Sequence, residues 1–246
     1  RSFLGLAVAL SAALAFGPAQ AGTVNAAVAA NFTKVAEQLG AAFKAATGNE
    51  IIFSFGATGA LYTQITQAAP FDVFLSADAK RTAQAISDGF GVEGTDFTYA
   101  VGKVALYSPS LDVTDGAAVL AANAYQHIAI ADPKAAPYGA AGMAVLDKLG
   151  LTAGVTPKIV TGDSITQALQ FVDSGSAEIG FVALSQVVGK PATQVWLPPQ
   201  DYYPAIKQNA VLLRVGEANG AAKAFLDYLK SAPAIAVIEA AGYTIE

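Results

Sequence analysis

The amino-acid sequence predicts an α/β protein with two lobes, mainly parallel sheets flanked by helices, and a ligand cleft between the lobes. Two observations support this fold class. Short apolar runs alternate along the chain with stretches whose apolar residues recur at helical spacing, a pattern typical of parallel sheets covered by helices. Two further stretches, 100–103 and 198–204, have the character of crossings between lobes. A chain of 246 residues is long enough for two lobes of roughly 100 residues each.

The two crossings define the expected domain organisation. Residues 22–101 plus 203–246 would form the first lobe, and residues 102–202 would form the second. In open α/β sheets a ligand lies beyond the carboxyl ends of the strands. Two such lobes that face each other therefore make a cleft.

The first half of the chain is predicted from its apolar spacing. Phe32, Val35, Leu39 and Phe43 recur at helical intervals, and Gly48 follows as a helix stop. The remaining segments are short apolar runs, expected to be strands, or amphipathic stretches, expected to be helices. Strands are expected at 23–29, 51–55 and 73–76, and helices at 32–47, 60–68 and 79–88.

The second half follows the same rules. The alternating stretch 98–108 is predicted as one long strand. Short apolar runs predict the later strands, and amphipathic stretches predict the helices between and after them. Strands are expected at 128–131, 159–160, 179–182 and 211–213, and helices at 143–149, 165–174, 221–229 and 232–241.

Residues 1–21 are predicted to be a secretory signal peptide. Arg1 precedes an apolar run that ends at Phe16, and a breaker leads to the Ala-x-Ala site that closes on Ala21. The run is too short to span a bilayer comfortably. We expect cleavage after Ala21 and a mature protein in the periplasm.

Composition excludes several classes of function. The chain has no cysteine and one histidine, His127, which excludes thiol chemistry, disulfides and clustered zinc or copper sites. The formal net charge of −5 disfavours nucleic-acid binding. A Ser-His-Asp hydrolase would depend on His127, which its neighbours place at the start of a buried strand, so packing is the expected role. We expect no enzymatic activity and no cofactor.

Four predicted strand-to-helix turns look alike: 27–32, 54–60, 131–139 and 160–165. Each places small residues, a hydroxyl or an amide at a helix N-terminus, where free N–H groups and the helix dipole attract anions. None contains Arg, so a cation-free anion site is expected, with Lys34 and Lys134 as conceivable helpers. The alternative is ordinary capping, because Ser164 and Gln167 fit a capping box without any ligand.

These turns carry a resemblance to a known family. The telling stretches are 29–32, 56–59, 71–78, 132–139, 180–184 and 223–245. In them the sequence resembles the molybdate-binding proteins of ABC importers, within the type 2 periplasmic-binding-protein superfamily. The resemblance covers nearly the whole mature chain, and it implies a two-lobed receptor that binds its oxyanion through hydroxyl, amide and backbone N–H donors.

Carried over by position, the resemblance implies a set of ligands to molybdate or tungstate, with the metal held as its oxyanion. They are Ala30 through its backbone, Asn31, Thr58, Tyr138 and the backbone N–H of Ile165. The family also implies a membrane permease as partner, and we expect a monomer. Asp72 and Asp78 are expected to be structural, since acids at strand ends commonly cap turns and helices.

Three alternatives stay open at this point. The adjacent Tyr202 and Tyr203 suit a ferric-ion receptor of the same fold, although a buried crossing also explains them. An exported hydrolase is the alternative from another class. If Asp132 or Asp163 faced the cleft, either could accept a proton from hydrogen phosphate and weaken the preference for molybdate.

Overall fold

The computed structural model describes residues 21–246. All of the predicted signal peptide except Ala21 lies outside these residues. The described chain forms two five-stranded sheets flanked by helices, which confirms the predicted two-lobed α/β fold. Within this part of the chain, every helix falls short of the length and apolarity needed to cross a membrane.

Ten strands run through the structure. Their bounds are β1 Thr23–Ala29, β2 Glu50–Gly56, β3 Val73–Leu75, β4 Phe97–Gly102, β5 Val104–Tyr107, β6 Ile128–Ala131, β7 Ile159–Gly162, β8 Ile179–Ala183, β9 Val195–Trp196 and β10 Ile206–Leu212.

The helices lie between and after these strands. Their bounds are α1 Thr33–Thr47, α2 Thr58–Thr66, α3 Ala79–Ser87, α4 Gly116–Ala122, α5 Pro137–Lys148, α6 Thr152–Val155, α7 Ile165–Asp173, α8 Leu184–Val187, α9 Gly220–Leu229 and α10 Ala232–Ala240.

The first lobe is built on the sheet with strand order β2-β1-β3-β10-β4. One face of this sheet packs against α1, α9 and α10, whose apolar sides include Leu39, Phe43 and Phe225. The other face packs against α2 through Leu61 and Ile65 and against α3 through Ala85. Each fully buried side chain of this kind stabilises the fold by roughly 1.5–3 kcal/mol, so both faces of the sheet are held in place.

The second lobe is built on the sheet with strand order β7-β6-β8-β5-β9. Its core includes Leu106, Ile130, Leu146 and Phe181. Helices α5 and α7 pack against β6 and β8. The four strand-to-helix turns that resembled one another thus divide equally, two in each lobe.

Parallel pairing is less dominant than predicted. Each sheet has two parallel and two antiparallel pairings. Strand β10 returns from the second lobe and runs antiparallel to β3 and β4. Strand β5, which enters that lobe, runs antiparallel to β8 and β9. The antiparallel pairs therefore come from the strands next to the crossings.

The prediction of one long strand over 98–108 is wrong. The alternating stretch divides at Lys103 into β4 and β5, which pair in different sheets. The chain crosses between the lobes at this point and crosses back just before β10. Helix α4 and the short strand β9 are additional elements that the apolar pattern did not predict.

Candidate oxyanion-binding site

A small cavity lies between the two lobes where the four turns meet. The space open to the centre of a water molecule is about 10 Å³. All five residues predicted as oxyanion ligands line it, and each lining residue is uncharged. The lining consists of Ala29, Ala30, Asn31, Gly56, Ala57, Thr58, Ala77, Ala136, Pro137, Tyr138 and Ile165.

Each predicted ligand sits at the start of a helical segment. Ala30 and Asn31 form a 3-10 turn that continues into α1, and Thr58 is the first residue of α2. Tyr138 is the second residue of α5, and Ile165 is the first of α7. The first N–H groups of a helix have no acceptor within that helix, and the helix dipole favours negative charge there. Converging helix starts therefore suit an anion.

The Thr58 hydroxyl can donate its hydrogen to a ligand in the site. Its side chain is 1% exposed, and Oγ1 accepts a hydrogen bond from the backbone N–H of Ala77 at 3.0 Å. A hydroxyl has one hydrogen to donate and two lone pairs to accept with. With an acceptor position occupied by Ala77, the hydroxyl hydrogen is available for a ligand in the cavity.

The Tyr138 hydroxyl, like that of Thr58, accepts a hydrogen bond from the protein. Its oxygen accepts from Nε2 of Gln208 at 3.1 Å. Burial raises the pKa of Tyr138 well above its usual value, and the nearby Tyr243 and Tyr99 raise this pKa further. The phenol therefore keeps its proton at neutral pH and remains a hydrogen-bond donor.

Asn31 is anchored from several directions. Its Nδ2 donates to Oε1 of Gln208 at 2.8 Å and to the hydroxyl of Tyr243 at 2.9 Å. Its backbone carbonyl accepts from Tyr243 and from Oγ of Ser185, both at 3.0 Å. Asn31 Oδ1 is buried and has no hydrogen-bond partner among the described residues. Because Ser185 belongs to the second lobe, these contacts also join the lobes.

Charged side chains stand away from the cavity. Lys34 and Lys134 are exposed and do not line it. Asp132 accepts from the backbone N–H of Lys134 at 2.9 Å, and Asp163 is exposed, so neither carboxylate faces the cavity as an acceptor. The lining combines the Thr58 and Tyr138 hydroxyls with the N–H groups of helix starts and contains no carboxylate, an arrangement that suits an anion without a proton of its own.

The acidic segment before α3 has structural roles. Oδ2 of Asp72 accepts from the backbone N–H of Asn25 at 2.7 Å. Asp78 is the N-cap of α3, and its Oδ1 accepts from the backbone N–H of Arg81 at 2.7 Å. Neither carboxylate lines the cavity.

The capping interpretation of the fourth turn holds in part. Oγ of Ser164 accepts from the backbone N–H of Gln167 at 3.3 Å. The Gln167 side chain returns to the backbone N–H of Asp163 rather than to that of Ser164. The backbone N–H of Ile165, at the first helical position, is outside this exchange.

The residues behind the alternative functions lie elsewhere. His127 is exposed, not packed as the sequence suggested, because it precedes β6; its backbone N–H donates to Glu178 at 2.9 Å. Tyr203 lies at the crossing back to the first lobe and is buried against the core of the second lobe. Tyr202 packs against the same core, and neither tyrosine lines the cavity. Residues 21–246 bring together no group of three or more His, Asp or Glu able to hold a metal ion.

Sequence analysis did not identify the residues that support the site from behind. Gln208, Tyr99 and Tyr243 support Asn31 and Tyr138 from the first lobe, and all three are buried. Gln208 lies in a part of β10 that was not predicted as strand, since only 211–213 had a clear apolar run.

Two lobes that enclose a small uncharged cavity at four converging helix starts define a solute-binding protein. The chain belongs to the bacterial extracellular solute-binding protein family, whose model matches residues 24–244. It is 53% identical to the molybdate-binding protein ModA of Rhodobacter capsulatus over 241 residues, which covers 98% of this chain and 95% of the relative.

Two further similarities come from Azotobacter vinelandii. Its molybdate-binding protein ModA is 49% identical over 245 residues, covering 98% of this chain and 97% of that protein. The solved structure of a periplasmic molybdate-binding protein from this organism superimposes with a TM-score of 0.87 at 40% identity. The superposition covers 91% of this chain and 99% of that one.

Proposed function

We propose that this protein is a periplasmic receptor that captures molybdate or tungstate and delivers it to the permease of an ABC importer. The observation that carries the proposal is the polarity of the cavity. Both of its hydroxyl side chains, those of Thr58 and Tyr138, already accept a hydrogen bond from the protein, and each can turn its hydrogen to a bound anion. A tetrahedral oxyanion without protons offers only acceptors, which matches such a site.

The proposed ligands are the backbone of Ala30, Asn31, Thr58, Tyr138 and the backbone N–H of Ile165. Their position at four helix starts compensates the negative charge through oriented N–H dipoles instead of a cation. Sulfate is smaller, so it would leave some of these hydrogen-bond donors without a close acceptor. Hydrogen phosphate carries a proton that needs an acceptor, and an unpaired buried polar group is costly.

The mechanism is capture by closure of two lobes, formed by residues 22–101 plus 203–246 and by residues 102–202. Asn31 and Thr58 come from the first lobe, while Tyr138 and Ile165 come from the second. An anion bonded to both lobes stabilises the closed form, because it binds that form better than the open one. The closed form would then dock on the permease.

Calorimetric titration of the protein from Gly22 onward tests this function. Molybdate and tungstate should bind tightly and one-to-one, with sulfate and hydrogen phosphate far weaker. The double variant Asn31→Ala, Thr58→Ala should lose the tight binding, whereas Thr58→Ser should keep it because the hydroxyl remains.

A matched control removes the same two residue types away from the cavity. Oδ1 of Asn49 accepts a hydrogen bond from the backbone N–H of Gly22, and Thr63 is exposed on α2. The variant Asn49→Ala, Thr63→Ala should bind molybdate like the unmodified protein. Absence of oxyanion binding by the unmodified protein would refute the proposed function, and equal losses in both double variants would refute the site.

A further inference from the structure

Gln208 is a fully buried amide directly behind the proposed ligands. It lies in β10, and its side chain has three polar partners. Oε1 accepts from Asn31 Nδ2 at 2.8 Å and from the Tyr99 hydroxyl at 3.2 Å. Nε2 donates to the Tyr138 hydroxyl at 3.1 Å. Gln208 therefore connects a proposed ligand of the first lobe with one of the second.

These partners fix the direction of the hydrogen bonds. With Oε1 facing the Asn31 amide nitrogen and the Tyr99 hydroxyl, Nε2 faces Tyr138, and an amide nitrogen can only donate. The Tyr138 oxygen thus accepts from Gln208, and its single hydrogen must point elsewhere. Tyr243, whose hydroxyl also lies near Tyr138, already accepts from Asn31. The Tyr138 hydrogen can therefore turn to the Tyr243 oxygen, which keeps a second lone pair, or to an anion in the cavity that Tyr138 lines.

We propose that Gln208 is a positioning residue that determines oxyanion selectivity by holding the Tyr138 hydroxyl as a donor toward the cavity. This inference rests on the proposed function. An anion with only acceptor oxygens receives the Tyr138 hydrogen. An anion with a hydroxyl of its own, such as hydrogen phosphate, meets a Tyr138 oxygen that already accepts from Gln208, so Tyr138 pairs with its proton less favourably.

The lobe crossing leaves space for this contact. A Cβ atom on Gly102 would lie 1.9 Å from the Tyr138 hydroxyl oxygen and 2.8 Å from Gln208 Nε2. Only a residue without a side chain lets the crossing strand run this close to both groups. The backbone at Gly102 therefore helps to hold the Gln208–Tyr138 pair together.

The variant Gln208→Glu tests the inference because it keeps the shape of the side chain and replaces the donor by an acceptor. The carboxylate would take the Tyr138 hydrogen, and the anion would lose that donor. We expect molybdate affinity to fall by about 10- to 100-fold, the usual effect of losing a hydrogen bond to a charged group. Affinity for hydrogen phosphate should fall less, so the ratio of the two affinities should drop.

Asn209→Asp provides a matched control. Asn209 is the next residue of β10, is also buried, and accepts through Oδ1 from Thr98 Oγ1 at 3.0 Å. The substitution adds the same charge on the same strand and preserves that bond. Molybdate affinity and the ratio to hydrogen phosphate should stay close to those of the unmodified protein.

A double-mutant cycle with Tyr138→Phe identifies the route of the effect. In the Tyr138→Phe background, Gln208→Glu should weaken molybdate binding much less than in the unmodified protein. If Gln208→Glu does not fold, Gln208→Met provides the same test, because Tyr138 is then free to turn and the affinity ratio should fall.

The outcomes separate this inference from the proposed function. Absence of oxyanion binding by the unmodified protein overturns both. Tight molybdate binding by that protein, together with an unchanged affinity ratio in the Gln208 variants, overturns the role of Gln208 alone. A loss of equal size with and without the Tyr138 hydroxyl also overturns it.

Discussion

The backbone N–H of Gly59 donates to the backbone carbonyl of Ala135 across 2.9 Å, which joins the two lobes beside the cavity. Gly59 is the second residue of α2, and Ala135 lies in the loop before α5. A Cβ atom on Gly59 would lie 3.1 Å from Ala135 Cα and 3.3 Å from its carbonyl oxygen. The backbones of the two lobes are therefore in direct contact here, and even a Cβ atom on Gly59 would fit tightly.

The first prediction follows from this contact. Gly59→Val should keep the lobes apart without changing any proposed ligand, because the added side chain meets Ala135 only in the closed form. We expect molybdate affinity to fall by about 10-fold or more and the scattering radius of the liganded protein to stay large. Calorimetry and small-angle X-ray scattering measure the two effects.

Gly220→Val serves as the control, since Gly220 also begins a helix and a Cβ atom there would have no neighbour within 4 Å. It should bind and close normally. Full closure and unchanged affinity in Gly59→Val would contradict the importance of this contact.

The second prediction concerns Gly102. Gly102→Ala must displace the Tyr138 hydroxyl, so molybdate affinity should fall at least as far as in Tyr138→Phe. Overpacking of this kind also costs about 1–3 kcal/mol of stability. Gly40→Ala is the comparison, because its Cβ would meet the Phe53 ring at 2.7 Å, far from the site. Gly40→Ala should lower the melting temperature and leave the molybdate dissociation constant unchanged. If Gly102→Ala gave this same result, it would be evidence against our description of the site.

The third prediction concerns alkaline pH. Burial raises the pKa values of Tyr99, Tyr138 and Tyr243 in the folded protein, whereas an unfolded tyrosine titrates at about pH 10. Above that pH the unfolded chain loses protons that the folded protein retains, so stability falls as pH rises. Each such tyrosine contributes a slope of up to about 1.4 kcal/mol per pH unit.

Urea unfolding between neutral and strongly alkaline pH measures this slope. Tyr138→Phe should make it shallower by about one proton, while Tyr202→Phe, outside the network, should change it little. An identical slope in Tyr138→Phe and the unmodified protein would show that Tyr138 does not contribute.

The fourth prediction separates capping from ligand binding. Asp78→Ala removes the N-cap of α3 and should cost about 1 kcal/mol, with no effect on molybdate affinity. Asp115 is the N-cap of α4 and accepts from the backbone N–H of Ala118 at 3.0 Å. Asp115→Ala should therefore lower the stability by a similar amount. Loss of molybdate binding in a folded Asp78→Ala protein would place this carboxylate at the site.

Most of the fold could be predicted because its strands and helices are visible in local patterns. The break at Lys103 could not, because β4 and β5 both alternate regularly and differ only in which sheet pairs with them. Strand β10 was predicted too short, since Lys207, Gln208 and Asn209 interrupt the apolar run. A strand that passes behind a polar site carries polar residues because they form hydrogen bonds with the side chains of that site.

The predicted site residues share a local sequence pattern that is absent around the residues that position them. Asn31, Thr58, Tyr138 and Ile165 each follow a strand and begin a helix, so a strand-to-helix turn marks their positions. Gln208 has no such mark, because its role depends on two partners 177 and 70 residues away in the chain. Only the folded structure brings these groups within hydrogen-bonding distance.

The position of β10 within the first sheet has a consequence for the order of assembly during synthesis. All strands of the second sheet lie within residues 104–196, whereas β10, which separates β3 from β4, is made only afterwards. Until it emerges, β4 has no neighbouring strand in its sheet. The lobe encoded in the middle of the chain can thus mature first, and the lobe that contains both ends of the described chain must wait for the last fifth of the polypeptide.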